Sequence, residues 1–549
     1  MTDFATVLAT VIGGAVAAIR ENFPMRSKSC GLRLWVELAL VLWLGVMPLQ
    51  ARAESAPLRL TVGTTADMID YNPLTSDSRT DRWILDLMYP SLMRVTEDGG
   101  TADVLAVDWQ YADEGRIVRL KIRDDFRWSD GVPITAEDVA FTIEAIKREN
   151  LGVTAASIPA FEAAKVLSPT EVEFRLSRPD GTFKSAVGLW MPIVPAHVFG
   201  KVGQIKGFAN DHDWVSAGPY RLVKVERGQR YVMERVDSYP MAPNGRPTLD
   251  EVVFRVFPDV NAEVLALRNG DLDLVANTLP PNLARSLENN PTITLQPVKS
   301  LGFAHIEFNL KRSPLDQVEV RQAIAHAINY DAIRRVVLRG AGLSSDSSVL
   351  TPTLKFWHDP SVTEYSFDPN AARALLAKAG ISHLSVSMVY DQADPYIASW
   401  AQIFRDSAAE AGIEIKLNGM ERNTYLQRTH DHDFEIYAGS WSIMDNPPSY
   451  LGFAFKTGAF VNFGQLSDPA LDKLIDRAQE ALTPEAALDP VREAAKLIHD
   501  EVYDDPLYVQ EFRIAFNASR WTGFEVQPSD LLSIVNPQSL ARVTAVPAK

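Results

Sequence analysis

Two histidine–aspartate runs and one tryptophan-led segment are where this sequence could do chemistry. His430-Asp431-His432-Asp433 has the residue types of a metal site, imidazole nitrogens beside carboxylate oxygens. Alternate residues entering a strand point to opposite faces, and a third ligand is not visible nearby. A solvated loop is therefore expected there, and Asp211-His212-Asp213 reads the same way. The segment Trp441-Ser442-Ile443-Met444-Asp445-Asn446-Pro447-Pro448 offers something else. In a closed cleft a carboxylate pairs with a cation and an indole face stacks on a ligand. Asp445 also has a plainer use, as an Asx residue forming a turn before a proline. Trp109, Trp128 and Trp190 could stack on sugars or peptides. Trp109 and Trp128 alternate with charged residues and read as packing residues, and Trp190 is open between the two uses.

Catalytic spacings are missing. The sequence has no Walker A loop, no G-x-G-x-x-G after a strand, no H-E-x-x-H and no G-x-S-x-G. Scattered Asp and Glu pairs could serve a glycosidase, but sequence alone gives no geometry to choose a pair. No catalytic residue, metal-ligand set or cofactor is expected. With a net charge of −16, nucleic acid is excluded as a partner, since a binder needs a basic face to neutralise phosphates. The single cysteine, Cys30, excludes a disulfide framework and a cysteine-based zinc site.

The elements that must position these residues can be read from periodicity. At 549 residues, 46% hydrophobic and 23% charged, the chain can hold two to four folded domains. Leu58 to Gly63, Val118 to Ile122, Val172 to Leu176, Tyr220 to Val225 and Ala304 to Asn309 alternate as strands. After Phe126 and Trp128 comes the Ser129-Asp130-Gly131 turn, and then a helix that Thr135 caps, with acids in its first turn. A helix ends at Gly270. Asp316 to Glu319 reads as a capping box, and Asn329 as the cap of a further helix ended by Gly340. Asp368-Pro369, Asp468-Pro469 and Asp489-Pro490 each open a helix. The strands Ser385 to Tyr390 and Ile413 to Leu417, with the helix Ile397 to Glu410 between them, imply a parallel sheet. Phe434 to Tyr437 is the strand before Trp441.

Phe126 to Val139, F-R-W-S-D-G-V-P-I-T-A-E-D-V, resembles the signature of the family 5 extracytoplasmic solute-binding proteins. These are the oligopeptide-, dipeptide- and nickel-binding components of ABC importers. A second stretch, Val320 to Ile333, and shorter ones at Tyr89-Pro90-Ser91-Leu92, Ile193 to Phe199, Gly218-Pro219-Tyr220 and Pro506 to Val509 resemble that family in the same order. The resemblance implies a class II, cluster C α/β fold of two lobes joined by two crossover strands, with an extra α+β subdomain in the first lobe. The expected divisions are 54–304 with 511–549 for lobe I, about 95–216 for the inserted subdomain and 305–510 for lobe II. It also implies a receptor and not an enzyme, acting as a monomer. The receptor would enclose a di- or oligopeptide between its lobes and hand it to an inner-membrane ABC permease. Other ligand classes within the resemblance are an opine, an oligosaccharide or chelated nickel.

In peptide-binding relatives a Trp-x-x-Asp at the Trp441 position holds the ligand's α-ammonium group. Here Met444 occupies the acid's place and Asp445 follows one residue later. The ligand-binding residues implied are Thr64, Thr65, Tyr89, Asn309, Trp441, Met444 and Asp445.

The N-terminus reads as an over-extended start followed by a signal peptide. Met25 opens a second start, Arg26 and Lys28 are basic, Leu32 to Val46 is mostly apolar, and Ala51-Arg52-Ala53 is a cleavage site. The mature protein would begin at Glu54, free in the periplasm. Cys30 lacks the residues that precede a lipoprotein cysteine.

Overall fold

A computed structural model describes residues 57–547, apart from positions 77, 393, 442–445, 460 and 530. The leader with its cleavage site, and the candidate residues Met444 and Asp445, lie outside the described residues. Among those described, no helix is long and apolar enough to cross a membrane.

One mixed sheet runs through the molecule. Its strand order is Ile413–Met420, Leu384–Asp391, Ile436–Trp441, Phe303–Phe308, Asp504–Asn517, Leu274–Val275, Arg59–Thr64, Glu251–Val256, Arg230–Arg235 and Tyr220–Glu226. The expected parallel pairing of Leu384–Asp391 with Ile413–Met420 is present, with the helix Pro395–Glu410 between them in the chain. The long strand Asp504–Asn517 belongs to both ends of this sheet. Its first residues pair with Phe303–Phe308, Glu307 facing Asp504. Its last residues pair with Ile293–Lys299, Lys299 facing Glu511 and Ile293 facing Asn517. The chain therefore crosses between the two halves by two adjacent antiparallel strands.

Each half has its own core. One contains Leu60, Trp83, Trp128, Tyr220 and Leu540, and another gathers Ile306, Phe308, Trp400 and Ile436. Burying such side chains is the main stabilising term, at about 2 kcal/mol for each large aliphatic or aromatic group.

A separate four-stranded antiparallel sheet, in the order Ala106–Ala112, Ile117–Ile122, Glu171–Leu176, Phe161–Ser168, carries the signature stretch. Val118, Leu120 and Ile122 are buried and alternate with exposed Arg119 and Lys121. The helix Ala136–Glu149 packs on this sheet, its apolar residues Val139, Ile143 and Ile146 inward. Its start is a complete capping box: the Thr135 hydroxyl accepts from the Glu137 amide, and the Thr135 amide donates to Asp138 Oδ2 at 2.9 Å. Trp109 is half-buried and Trp128 buried in the same core, as packing residues.

Four local expectations are corrected. No capping box forms at Asp316 to Glu319, because the helix Val318–His326 starts one residue later, on Gln317, which caps through no side chain. Asp489-Pro490 opens no helix. Thr483-Pro484 gives the same signal earlier, and Pro490 lies inside the helix Pro484–Asp500, whose stripe of Ala487, Val491, Ala494 and Ile498 is buried. The turn of helix after Asn329 ends on Arg339 in the left-handed region, before Gly340. The strand placed at Phe434 to Tyr437 is Ile436–Trp441, which brings Trp441 into the sheet.

Candidate functional site

The candidate residues fall in three places. Thr64 ends the first strand, and its hydroxyl is hydrogen-bonded to that of Thr80 at 2.6 Å, both groups being buried. Thr65 is exposed at the strand end. Asn309 is fully buried and its amide is fully engaged. It donates to the carbonyls of His432 and Phe434 at 3.0 and 3.1 Å and accepts from the Lys311 amide at 3.1 Å. Those bonds make Asn309 a fastener of the loop behind it. Asp431-His432-Asp433 is that loop, and His430 ends the helix Arg422–His430 before it. The His432 ring bonds the Phe463 carbonyl at 2.9 Å, and Asp433 pairs with Arg428 at 2.9 Å.

Tyr89 stands in a crevice of the first half whose empty space, about 830 Å³, includes open solvent. Arg82, Asp86, Arg94, Trp190 and Tyr239 share its wall, and Leu301, Gln527 and Pro528 close the side toward the crossover. A neighbouring crevice of about 890 Å³ shares those last three residues and adds Glu97, Lys299 and Lys355. Lys299 and Lys355 come from opposite sides of the crossover, so the two spaces meet where the halves adjoin.

The charges in this crevice are matched. Arg82 pairs with Asp86 at 3.1 Å, Arg94 pairs with Glu525, and Arg542 pairs with Glu525 at 3.0 Å. Burial pushes the Asp86 carboxyl up, and Arg82 opposes that shift. The Tyr89 hydroxyl accepts from Asn210 at 3.0 Å and is pushed up to about 12 by burial, so it stays protonated. A carboxylate held by a guanidinium is a poor general base. Aromatic faces and a buried guanidinium nitrogen, Arg94 Nε, which has no partner among the described residues, suit a site that binds. Arg94 and Glu525 stand 431 positions apart, and no sequence signal joins them.

Trp441 belongs to the second half. It faces Phe303 across the strand pair and packs against Tyr450 and Phe453, at centroid distances of 5.4 and 6.3 Å. Leu301 of the crevice lies in the same apolar cluster. The structure thus brings Tyr89 and Trp441 to two sides of the crossover region, and leaves Thr64 and Asn309 engaged elsewhere.

Sequence reading missed a polar cluster beside Trp441. His305 and Glu307, two apart on their strand, share a face. The register sets Glu307 opposite Tyr437 on one neighbour and Asp504 on the other. His305 Nδ1 lies 2.7 Å from Asp504 Oδ2, and the Gly464 amide donates to Glu307 Oε1 at 2.6 Å. A side chain at Gly439 would put its Cβ 3.2 Å from His305 Nε2 and 2.8 Å from the Tyr437 ring, so a glycine leaves room for the imidazole. Burial, and then the charge of Asp504, push the Glu307 carboxyl well up. Burial pushes Asp504 up as well, against the pull of His305. The spacing of His305 and Glu307 was the visible signal. Asp504, 199 positions away, was not.

A model of the middle region of the bacterial extracellular solute-binding proteins, family 5, matches residues 102–462. The chain belongs to that family. It is a substrate-binding receptor of the ABC-transporter type. The dipeptide-binding protein of Escherichia coli (strain K12) is 24% identical over 435 residues, 73% of this chain and 80% of that one. Two solved structures share the fold. The oligopeptide-binding protein AppA from Bacillus subtilis, in complex with a nonapeptide, superposes with a TM-score of 0.73 at 22% identity, over 89% of this chain and 99% of its own. The binding protein AgaA from A. tumefaciens R10, in complex with agropinic acid, gives 0.75 at 20% identity over 89% and 99%. The two-lobed α/β fold with its inserted subdomain is therefore that of the family 5 receptors.

Proposed function

We propose that this receptor captures a di- or oligopeptide between its two lobes and delivers it to an inner-membrane ABC permease. The observation that carries the reading is the pair of adjoining crevices beside the crossover, one lined by Tyr89, Trp190 and Arg94, the other with Lys299 and Lys355 in its wall. A solute touching both walls binds the closed arrangement better than the open one, so it shifts the population toward closure, and the permease reads the closed form. A peptide main chain can bond as an added strand, which leaves side chains loosely specified. The similarity to a dipeptide-binding and an oligopeptide-binding protein supports this class.

Lobe I is taken as 54–304 with 511–549, the inserted subdomain as about 95–216, and lobe II as 305–510. In this reading the mature chain is a periplasmic monomer beginning at Glu54, exported through the leader that ends at Ala53. Trp441, Asp445, Met444, Tyr89 and Thr65 are the residues proposed to meet the ligand. Asp445 would hold a ligand ammonium, and Thr64 and Asn309 would shape the strand ends behind them.

A second reading, a non-peptide solute such as an opine, is favoured by one feature. The acid follows Trp441 by four residues instead of three, which moves the ammonium anchor of a peptide. AgaA, with agropinic acid, has the same fold.

Native mass spectrometry of the purified protein identifies the co-purified solute. A peptide with a free α-amine is the expected result, with several-fold weaker binding in Asp445→Ala. An opine or sugar would replace the peptide reading with the second. Turnover of the bound compound would remove the receptor reading altogether.

A further inference from the structure

The crossover strands carry the buried cluster of His305, Glu307 and Asp504, which solute capture as proposed above does not use. We propose that these three residues form a binding site for a divalent first-row transition-metal ion, with Zn²⁺ the best fit.

The donor set is one imidazole nitrogen and two carboxylates, each residue offering one atom within 4.8 Å of the others. Zn²⁺ takes such nitrogen and oxygen donors at about 2 Å in a tetrahedron, which sets them about 3 Å apart. Small side-chain shifts close the remaining gap. Mg²⁺ and Ca²⁺ want six or more oxygens and fit poorly.

Charge points the same way. His305, Glu307 and Asp504 are only 1%, 6% and 1% exposed. Among the described residues, neither carboxylate pairs with a lysine or arginine. Two ionised carboxylates in a dry interior need a counter-charge, and a divalent ion supplies it in full.

Unused bonding capacity is the independent observation. Asp504 Oδ1 is buried with no partner among the described residues, although Oδ2 of the same carboxylate holds His305. The Tyr450 hydroxyl is also buried without a partner among the described residues and feels the charges of both carboxylates. Gly464 holds Glu307 Oε1, and the Tyr437 hydroxyl bonds the same carboxyl, so an ion would take the place of that hydroxyl on Glu307. The His430–Asp433 run has the more obvious sequence, but its Asp433 is paired with Arg428 and its His432 with a carbonyl. A bound ion would tie Phe303–Phe308 to Asp504–Asn517 at the lobe II end of the crossover.

The test uses protein expressed from the full-length sequence, stripped with chelator and titrated with ZnCl₂ by calorimetry. Metal content is measured by mass spectrometry and Co²⁺ is used as a visible probe. We expect one Zn²⁺ per chain, tetrahedral Co²⁺ bands and a higher melting temperature with metal. Glu307→Gln and Asp504→Asn should each weaken binding by about a hundred-fold or more. His430→Ala with His432→Ala should leave it unchanged. Circular dichroism of the stripped variants checks folding. Should Asp504→Asn fail to fold, the near-isosteric Glu307→Gln decides. The proposal is overturned by a wild-type protein that binds no stoichiometric metal, or by binding that survives Glu307→Gln. It is equally overturned if binding is lost only with His430 and His432. A metal-free protein that Glu307→Gln leaves as stable or more stable would mean that protons neutralise the cluster instead.

Discussion

The amide of Gly181 donates to the carbonyl of Gln479 at 2.7 Å. Gly181 follows the four-stranded sheet, and Gln479 lies on the helix Pro469–Glu480; on the division proposed above they belong to opposite lobes. A Cβ at Gly181 would stand 1.8 Å from the Ala481 carbonyl oxygen, so the approach requires a glycine. This is a contact that two lobes make only when they are together.

Gly181→Ala should therefore disfavour the closed form without disturbing either core. Small-angle scattering with saturating ligand should show a larger radius of gyration than wild type, and affinity should fall. Unchanged compaction and affinity would mean that the contact is not part of closure.

Trp190 is half-buried and lines the same crevice as Tyr89. Trp190→Ala should weaken solute binding about five- to ten-fold, the scale of one aromatic contact. Its melting temperature should stay near that of wild type. Calorimetry with the co-purified solute measures the first and scanning fluorimetry the second. An unaltered affinity would move the site away from this wall.

Asp138 serves two amides at once, Thr135 at 2.9 Å through Oδ2 and Ala196 at 2.8 Å through Oδ1. Removing it leaves both donors short of a partner in a buried place. Asp138→Ala should cost about 2–3 kcal/mol, and Thr135→Ala, which loses only a cap, about 1 kcal/mol. Urea unfolding followed by circular dichroism checks the order of the two.

Glu263 is fully buried in the helix Val260–Asn269, and burial pushes its carboxyl up to about 7, although Asn277 donates to both of its oxygens. A raised acid binds its proton more tightly in the folded state. Its stabilisation is thus complete below the unfolded value of about 4 and is lost as pH rises through about 7. The wild-type melting temperature should carry a falling component between those limits, and Glu263→Gln should remove it. A Glu263→Gln protein with the wild-type pH profile would contradict this.

What the sequence disclosed was mostly local. The Thr135 cap, the Asp468-Pro469 start and the parallel pair around the helix Pro395–Glu410 depend on neighbours within a turn or two. Each appears in the structure as read. Asp489-Pro490 misled because the same local signal stood six residues earlier at Thr483-Pro484, and the buried stripe of the longer helix overrode the second proline. The site was less legible, because its partners are distant. Arg94 meets Glu525 and His305 meets Asp504 only once the sheet is assembled. The strands themselves read merely as alternating. Asn309 stands at a strand end, where its side chain and backbone bond five backbone groups, those of Lys311, Arg312, His432, Phe434 and Glu435.

The last residues of the chain complete the core of the first lobe. The Tyr220 hydroxyl donates to the Leu540 carbonyl at 2.8 Å, and the Trp83 indole donates to Leu531. Leu540, Ala541 and Val543 are wholly buried in the same core as Leu60 and Val62. Domains of a nascent chain tend to form in the order of synthesis. Here the half that leaves the ribosome first lacks part of its interior until the final helix, Pro537–Arg542, has been made. Lobe II, an uninterrupted stretch, can fold earlier. The first lobe consequently stays partly open until that helix has been made, the condition in which a chain is most easily threaded through a translocation pore.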